Sequence, residues 1–169
     1  MNNNLIITIG REYGTGGREI GQKLALRLGV PFYDRELITR AAKKTGFDEK
    51  LFEQLDKRAT NSFLYSLTMF GSVGLNGMSL TDQLYLAQSN IIREMAEDSS
   101  CVIVGRCADH VLRDFPNKFD FFIHGSIEDR VKRVQTCGDY VIEGKTPEAA
   151  LEKMDKQRST YYNYYTGRS

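Results

Sequence analysis

The sequence predicts an α/β fold in which a mostly parallel sheet is covered by helices on both faces. Short apolar runs alternate with stretches of helical periodicity, and most of the runs end at a glycine or a polar residue. This alternation is typical of parallel strands joined by crossover helices. Ligands of such sheets bind beyond the carboxyl ends of the strands. Those ends are predicted at Gly10, Asp34, Gly105 and His124.

The first two strands and the helix between them have clear boundaries. Leu5–Ile9 is nearly all apolar, as expected of a strand buried on both faces. The next segment is predicted to be a helix that ends at Gly29, because apolar residues recur in it at helical spacing. These residues are Ile20, Leu24 and Leu28. Residues 30–33 are predicted to form the second strand, and Asp34 is predicted to be the N-cap of a further helix.

The middle of the chain is predicted to be mainly helical. Asp48–Arg58 has helical periodicity, and Ser79–Asp82 resembles a capping box that begins a long, largely buried helix. The apolar residues of that helix are Leu80, Leu84, Ala87, Ile91 and Met95. Two more buried strands are predicted at Cys101–Val104 and Asp120–Ile123.

Two later helices carry start signals. Ser126–Asp129 is a second candidate capping box. Thr146 supplies an N-cap hydroxyl, and the two following residues are a proline and an acid, both typical of the first helical turn. The intervening segment, Cys137–Lys145, contains two glycines and mixed charge, which predicts a loop.

Composition limits the classes of function. The 169-residue chain is 41% hydrophobic and 27% charged, and its net charge is +1. Bulk charge therefore gives no reason to expect a nucleic acid or an anionic membrane as partner. The three cysteines form no C-x-x-C pair, which argues against a disulfide framework or a zinc site. No apolar run is long enough to cross a bilayer, and a cytoplasmic location is expected.

The glycine-rich loop after the first strand predicts a phosphate site. Glycines here would bring backbone N–H groups close to phosphate oxygens, and the next helix adds its N-terminal amides. The loop departs from the pattern G-x-x-x-x-G-K-[ST], because Gly17 stands at the lysine position and Arg18 at the Ser/Thr position. Arg11 stands at the first glycine position, so Arg11 and Arg18 are the nearby cations. We expect Arg18 to replace the lysine in part. A tight turn without a ligand is the alternative.

Several segments resemble the cytidylate kinase-like family, a divergent branch of the P-loop nucleoside monophosphate kinases. The matching segments are Ile9–Ile20, Gly29–Asp34, Val102–Asp109, Ile127–Arg133 and Asp155–Arg158. The resemblance implies a P-loop nucleoside kinase-like three-layer fold with a mobile lid. It further implies a single domain over residues 1–169, with an acceptor-side helical insertion at about 46–98 and the lid at about 137–145.

The resemblance also implies roles for individual residues. The donor phosphates would be bound by Arg11, Gly14, Thr15, Gly16, Gly17, Arg18 and Glu19. The acceptor would be bound by Asp34, Arg35, Arg106 and Asp109. The residues expected to act on the transferring phosphoryl group are Arg18, Arg130 and Arg158. Arg133 shares a helix face with Arg130. Val104 and Cys107 replace the two aspartates of the family's D-G-R-D motif, so the magnesium ligands stay unknown.

These roles imply a phosphotransferase that moves the γ-phosphoryl group of ATP, with Mg²⁺, to CMP or a related nucleoside monophosphate. Two other functions stay open: a non-catalytic nucleotide-binding or regulatory module, and a kinase for another small metabolite. The expected partners are small-molecule nucleotides, with no nucleic acid and no membrane, and a homodimer is left open. The parent kinases usually have a last strand and helix after the lid. No apolar strand follows it here, so we expect one strand fewer or a truncated chain.

Three other features are expected to be structural. Cys107 follows Gly105 and Arg106, but no partner base is identifiable, so a small buried residue is expected. His110 is expected on a helix face. Tyr161 and Tyr165 fall on one helical face, which favours core or dimer packing over stacking on a base.

Overall fold

The computed structural model describes residues 3–34, 80–138, 140 and 146–168, and every structural statement below refers to these residues. Its strands are β1 (Ile6–Arg11), β2 (Phe32–Tyr33), β3 (Cys101–Val104) and β4 (Lys118–Ile123). Its helices are α1 (Gly17–Leu28), α2 (Leu80–Asp98), α3 (Ala108–Val111), α4 (Ile127–Thr136) and α5 (Pro147–Thr166). The strands form one parallel sheet in the order β2-β3-β1-β4, which confirms the predicted α/β class.

The central pair of strands ends at one edge of the sheet. Ile9 of β1 pairs with Val104 of β3, so the loops that follow these strands leave the sheet side by side. Successive β1 residues point to opposite faces, and Ile6 and Ile7 accordingly belong to different core clusters. The cluster on the α1 side contains Ala25, and the other is closed by α2 and α3. The central strands are therefore packed against helices on both faces of the sheet.

The helix boundaries follow the predicted start and stop signals. Gly29 ends α1 with a left-handed φ of 65°. The Ser126 hydroxyl accepts a hydrogen bond from the Asp129 N–H at 3.2 Å, and the Thr146 hydroxyl accepts one from the Ala149 N–H at 3.2 Å. Both predicted N-caps are thus confirmed. In α2, Leu84 and Ile91 are buried as predicted.

The prediction that the fourth strand is buried is wrong. The strand begins at Lys118, and Phe119, Phe121 and Phe122 are 54%, 53% and 66% exposed. Within the described residues β4 pairs with β1 alone and lies at the edge of the sheet. An apolar run therefore predicted the strand correctly but not its place in the sheet.

Several predictions lie outside the described residues. They concern the helix after Asp34, the helix at 48–58, Arg35, most of the 46–98 insertion and most of the 137–145 loop. Among the helices that are described, none is both long enough and apolar enough to span a membrane.

Candidate functional site

The glycine-rich loop connects β1 to α1 at the carboxyl edge of the sheet. Gly16 is the N-cap residue of α1, and its φ of 75° lies in the left-handed region. Because glycine has no side chain, it cannot cap the helix itself, and no side-chain hydrogen bond caps α1 at this residue. A left-handed residue followed by helical amides forms a concave array of N–H groups suited to an anion. The assignment of this loop as the phosphate site stays a prediction.

Arg11, the last residue of β1, crosses two glycines at this edge. A Cβ at Gly17 would come within 2.8 Å of Arg11 Cβ and 2.9 Å of its Cγ. A Cβ at Gly105 would overlap Arg11 Nη1 and lie 3.2 Å from Cζ. The aliphatic stem therefore lies over the start of α1, and the guanidinium lies against the end of β3. Only glycine leaves room for this path at either position.

Arg130 of α4 is buried in a network that holds the backbone of the loop. Its side chain is 8% exposed and forms ion pairs with Asp155 and, at 3.2 Å, with Glu12. Its Nε donates to the carbonyl oxygen of Tyr13 at 2.8 Å. Asp155 accepts a hydrogen bond from the Tyr13 N–H at 2.6 Å, and Glu12 accepts one from the Gly125 N–H at 3.1 Å. Both polar groups of the Tyr13 backbone are thus fixed by one ion pair between α4 and α5.

Arg158 extends this support to the end of β1. Its Nη1 donates to the Arg11 carbonyl oxygen at 3.1 Å, and its guanidinium lies 5.1 Å from the centre of the Tyr13 ring. Burial lowers the pKa of Arg158, and the nearby Asp155 carboxylate opposes that shift. A guanidinium stays protonated at neutral pH despite such a shift. The roles predicted for Arg130 and Arg158 in phosphoryl transfer stay predictions, and in this structure both side chains bind the protein's own carbonyl groups.

Arg133 lies over the loop from the same helix. A Cβ at Gly16 would come within 2.7 Å of Arg133 Cζ. The guanidinium forms an ion pair with Glu19, and its Nε donates to the Tyr140 hydroxyl at 3.3 Å. The hydrogen bond to Tyr140 and the pairing with Glu19 raise the pKa of Arg133. Tyr140 also meets the Tyr13 ring edge-on at 5.3 Å, so the one described residue between positions 139 and 145 contacts the loop.

Arg18 forms an ion pair with Asp34 at the end of β2. Its Nε donates to Asp34 Oδ2 at 2.7 Å, and the Arg18 side chain is 54% exposed whereas that of Asp34 is 7% exposed. Two residues predicted to bind different substrates are thus joined by an ion pair that links α1 to the end of β2. The expectation that Arg18 binds phosphate stays a prediction.

The end of β3 has an unusual backbone. Gly105, Arg106 and Cys107 all have a positive φ, at 79°, 58° and 53°. A left-handed conformation costs roughly 1–2 kcal/mol for each residue with a Cβ, and such strain is concentrated at functional sites. The turn directs Arg106 toward α5, where its Cζ lies 5.9 Å from the centre of the Tyr161 ring. Arg106 directly follows Gly105, against which the Arg11 guanidinium lies.

The remaining predicted residues have structural contacts. Cys107 is buried, as predicted, and burial raises the pKa of its thiol to about 12, with Asp109 adding to the shift. Asp109 Oδ2 accepts a hydrogen bond from the Tyr162 hydroxyl at 2.6 Å. The Tyr165 ring stacks on Tyr85 at 3.9 Å and meets Tyr161 edge-on, which confirms their predicted role in packing. Thr15 donates its hydroxyl to the carbonyl oxygen of Glu12 at 2.9 Å.

The sequence alone indicates no role for Asp155, Glu12 or Tyr13. Of the three, Asp155 links the Arg130 guanidinium to the Tyr13 N–H. One signal was available: Asp155 and Arg158 are three residues apart, so they share a face of α5. The residues near the loop that they contact, Tyr13 and Arg11, lie more than a hundred positions earlier in the chain.

The described residues fit a nucleotide phosphate better than they fit a metal ion. The left-handed glycine at the start of α1 and the Arg11 guanidinium suit phosphate oxygens. No group of three or more histidine, cysteine, aspartate or glutamate side chains in the described part of the chain could hold a metal ion.

Comparison with known proteins gives one family and one fold. Residues 6–169 match the sequence profile of the Cytidylate kinase-like family, and no curated protein sequence matches the chain. A crystal structure of an uncharacterized protein from Eubacterium ventriosum ATCC 27560 is 30% identical, with a TM-score of 0.68, and the match covers 98% of this chain and 80% of that one.

A second solved structure is more distant. Shikimate kinase from Bacteroides thetaiotaomicron is 16% identical with a TM-score of 0.54, over 94% of this chain and 82% of that one. At this identity the likeness is one of fold, and the fold is that of the P-loop kinases. The family match spans nearly the whole sequence and agrees with the resemblance read from its motifs. The chain therefore belongs to the cytidylate kinase-like family.

Proposed function

We propose that this protein is a nucleotide-dependent phosphotransferase that moves the γ-phosphoryl group of ATP to CMP or a related nucleoside monophosphate. The observation that carries the proposal is the loop between β1 and α1. Its left-handed Gly16 opens onto helical amides, and the Arg11 guanidinium lies at the same edge of the sheet. A loop of this shape at this point in the fold is suited to the phosphates of a donor nucleotide.

Phosphoryl transfer requires few chemical groups from the protein, and this edge of the sheet would supply them. Phosphoryl transfer depends mainly on alignment of donor and acceptor and on positive charge around the transferring oxygens. The α1 N-terminus would orient the donor phosphates, and the arginines at the ends of β1 and β3, Arg11 and Arg106, would stabilise the charge that develops between donor and acceptor. Arg106 and the Arg18–Asp34 pair lie on the β2–β3 side of the loop, which favours that side for the acceptor.

A non-catalytic nucleotide-binding module is the second candidate. Two observations favour it: the loop has no lysine, and the guanidinium groups of Arg130 and Arg158 are hydrogen-bonded to backbone carbonyl groups of the protein. A module that only binds nucleotide would use these arginines to hold the loop. An enzyme would need them, or other cations, to reach the transferring group.

Thermal unfolding with a nucleotide panel, followed by turnover assays, separates these functions. At a hundred times its dissociation constant, ATP with Mg²⁺ should stabilise the protein by about 2.7 kcal/mol. For a chain of this size that corresponds to a rise of roughly 5–10 °C in Tm. ADP release should then depend on an acceptor, with CMP tested beside other nucleoside monophosphates and small hydroxylated metabolites.

Each result favours a different function. Turnover with CMP or a close analogue supports the proposal. Turnover only with another small metabolite would mean that this metabolite, and not a nucleoside monophosphate, is the acceptor. Stabilisation by ATP without turnover on any acceptor indicates the binding module. A protein that no nucleotide stabilises would contradict both.

A further inference from the structure

The position of the missing loop lysine is the starting point. In the standard phosphate-binding loop, the lysine side chain projects from the residue that corresponds to Gly17 here. In this structure the space beside Gly17 is filled. A side chain at position 17 would begin 2.8–2.9 Å from Arg11 Cβ and Cγ, so the Arg11 stem lies where that side chain would start.

We propose that Arg11 takes the place of the lysine and binds the terminal phosphate of the donor nucleotide. The inference rests on the proposed function and names the residue that supplies the charge. The stem enters from the end of β1 rather than from the start of α1, and the guanidinium reaches Gly105 at the end of β3. It thereby lies between the donor loop and the acceptor side of the sheet.

Two further contacts hold Arg11 in this path. Arg158 donates to its carbonyl oxygen at 3.1 Å, which fixes the backbone from which the side chain departs. Gly105 provides the surface for the guanidinium, since any larger residue would overlap Nη1. Arginine suits this position because its planar guanidinium can donate two hydrogen bonds to one phosphate group.

Arg18 is the competing candidate, and its geometry favours a different role. Its side chain is more than half exposed and is directed to Asp34 at the end of β2. A cation that replaces the lysine must instead lie over the start of α1, which is where the stem of Arg11 lies. Substituting each arginine separately therefore distinguishes the two candidates.

The test moves the positive charge from position 11 to position 17 and measures the affinity for ATP and for ADP, each with Mg²⁺, by calorimetric titration. Arg11→Gly and Arg11→Gln should each weaken ATP binding by about 10- to 100-fold, the range for hydrogen bonds to charged groups, and should weaken ADP binding less. The double variant Arg11→Gly/Gly17→Lys returns a lysine to its standard place and should recover ATP affinity to within about fivefold of the wild type. Arg18→Ala, the competing variant, should lose less ATP affinity than Arg11→Gln. The matched control is Arg27→Ala, at an exposed arginine in the last turn of α1, and it should stay within about threefold of the wild type.

The outcomes are distinct. ATP affinity within threefold of the wild type in both single Arg11 variants would overturn the inference while leaving the proposed function intact. A larger loss in Arg18→Ala than in Arg11→Gln would overturn it as well, as would a folded double variant that recovers nothing. A wild-type protein that binds neither nucleotide would overturn the proposed function itself.

Discussion

Replacing Asp155 with alanine is expected to lower the free energy of unfolding by about 3 kcal/mol, the scale for breaking a buried ion pair from one side. Arg130 would keep the 3.2 Å contact with Glu12 and its hydrogen bond to the Tyr13 carbonyl oxygen but would lose its ion pair with Asp155, and the Tyr13 N–H would lose the Asp155 carboxylate. For a domain of this size the loss corresponds to a fall of roughly 6–12 °C in Tm. Urea denaturation followed by circular dichroism measures the change.

The matched control for this variant is Glu152→Ala. Glu152 is an exposed acid on the same helix, and its removal should change stability by less than about 0.5 kcal/mol. Asp155→Asn separates charge from shape, because the amide oxygen can still accept from the Tyr13 N–H. If Asp155→Ala is no more destabilising than Glu152→Ala, the network does not support the loop.

The second large effect is expected from Gly16→Ala. A Cβ there would require a left-handed alanine and would come within 2.7 Å of Arg133 Cζ. The strain costs about 1–2 kcal/mol of stability. The displaced loop should also lose at least about tenfold in affinity for ATP, equivalent to about 1.4 kcal/mol. Thermal unfolding and ATP titration give the two quantities separately.

Gly29→Ala is the control at the other end of α1. Gly29 also has a left-handed φ, at 65°, but a Cβ there would meet nothing within 4 Å. Its substitution should cost similar stability and leave ATP affinity unchanged. Equal losses of ATP affinity in the two variants would mean that the helix as a whole, and not the loop at Gly16, controls binding.

The sequence predicts correctly those helix ends and strands whose formation depends mainly on neighbouring residues. Cys101–Val104 was predicted with its observed boundaries, and the hydroxyl caps at Ser126 and Thr146 form as expected. An N-cap or a short apolar strand depends on neighbouring residues, so its signal lies within a few positions of the element. The fourth strand differs, because its exposure depends on its place in the sheet rather than on its own residues.

The contacts of the predicted site residues could not be derived from the sequence. The structure places Arg130 of α4 and Arg158 of α5 against the backbone around the glycine-rich loop, and their predicted role in phosphoryl transfer stays a prediction. That Arg130 and Arg158 would hold the carbonyl groups of Tyr13 and Arg11 could not be predicted, because these partners are 117 and 147 positions apart in the chain. The crossing of Arg11 over Gly17 likewise depends on how β1 and α1 are arranged in space.

The most direct test of the phosphate site is a crystal structure of the protein with Mg²⁺ and a non-hydrolysable ATP analogue. The β- and γ-phosphates should lie on the amides of Gly14–Gly17, within hydrogen-bond distance of the first turn of α1, with the Arg11 guanidinium on the γ-phosphate. An analogue bound elsewhere, with the loop amides unoccupied at saturating concentration, would contradict the assignment of this loop as the donor site.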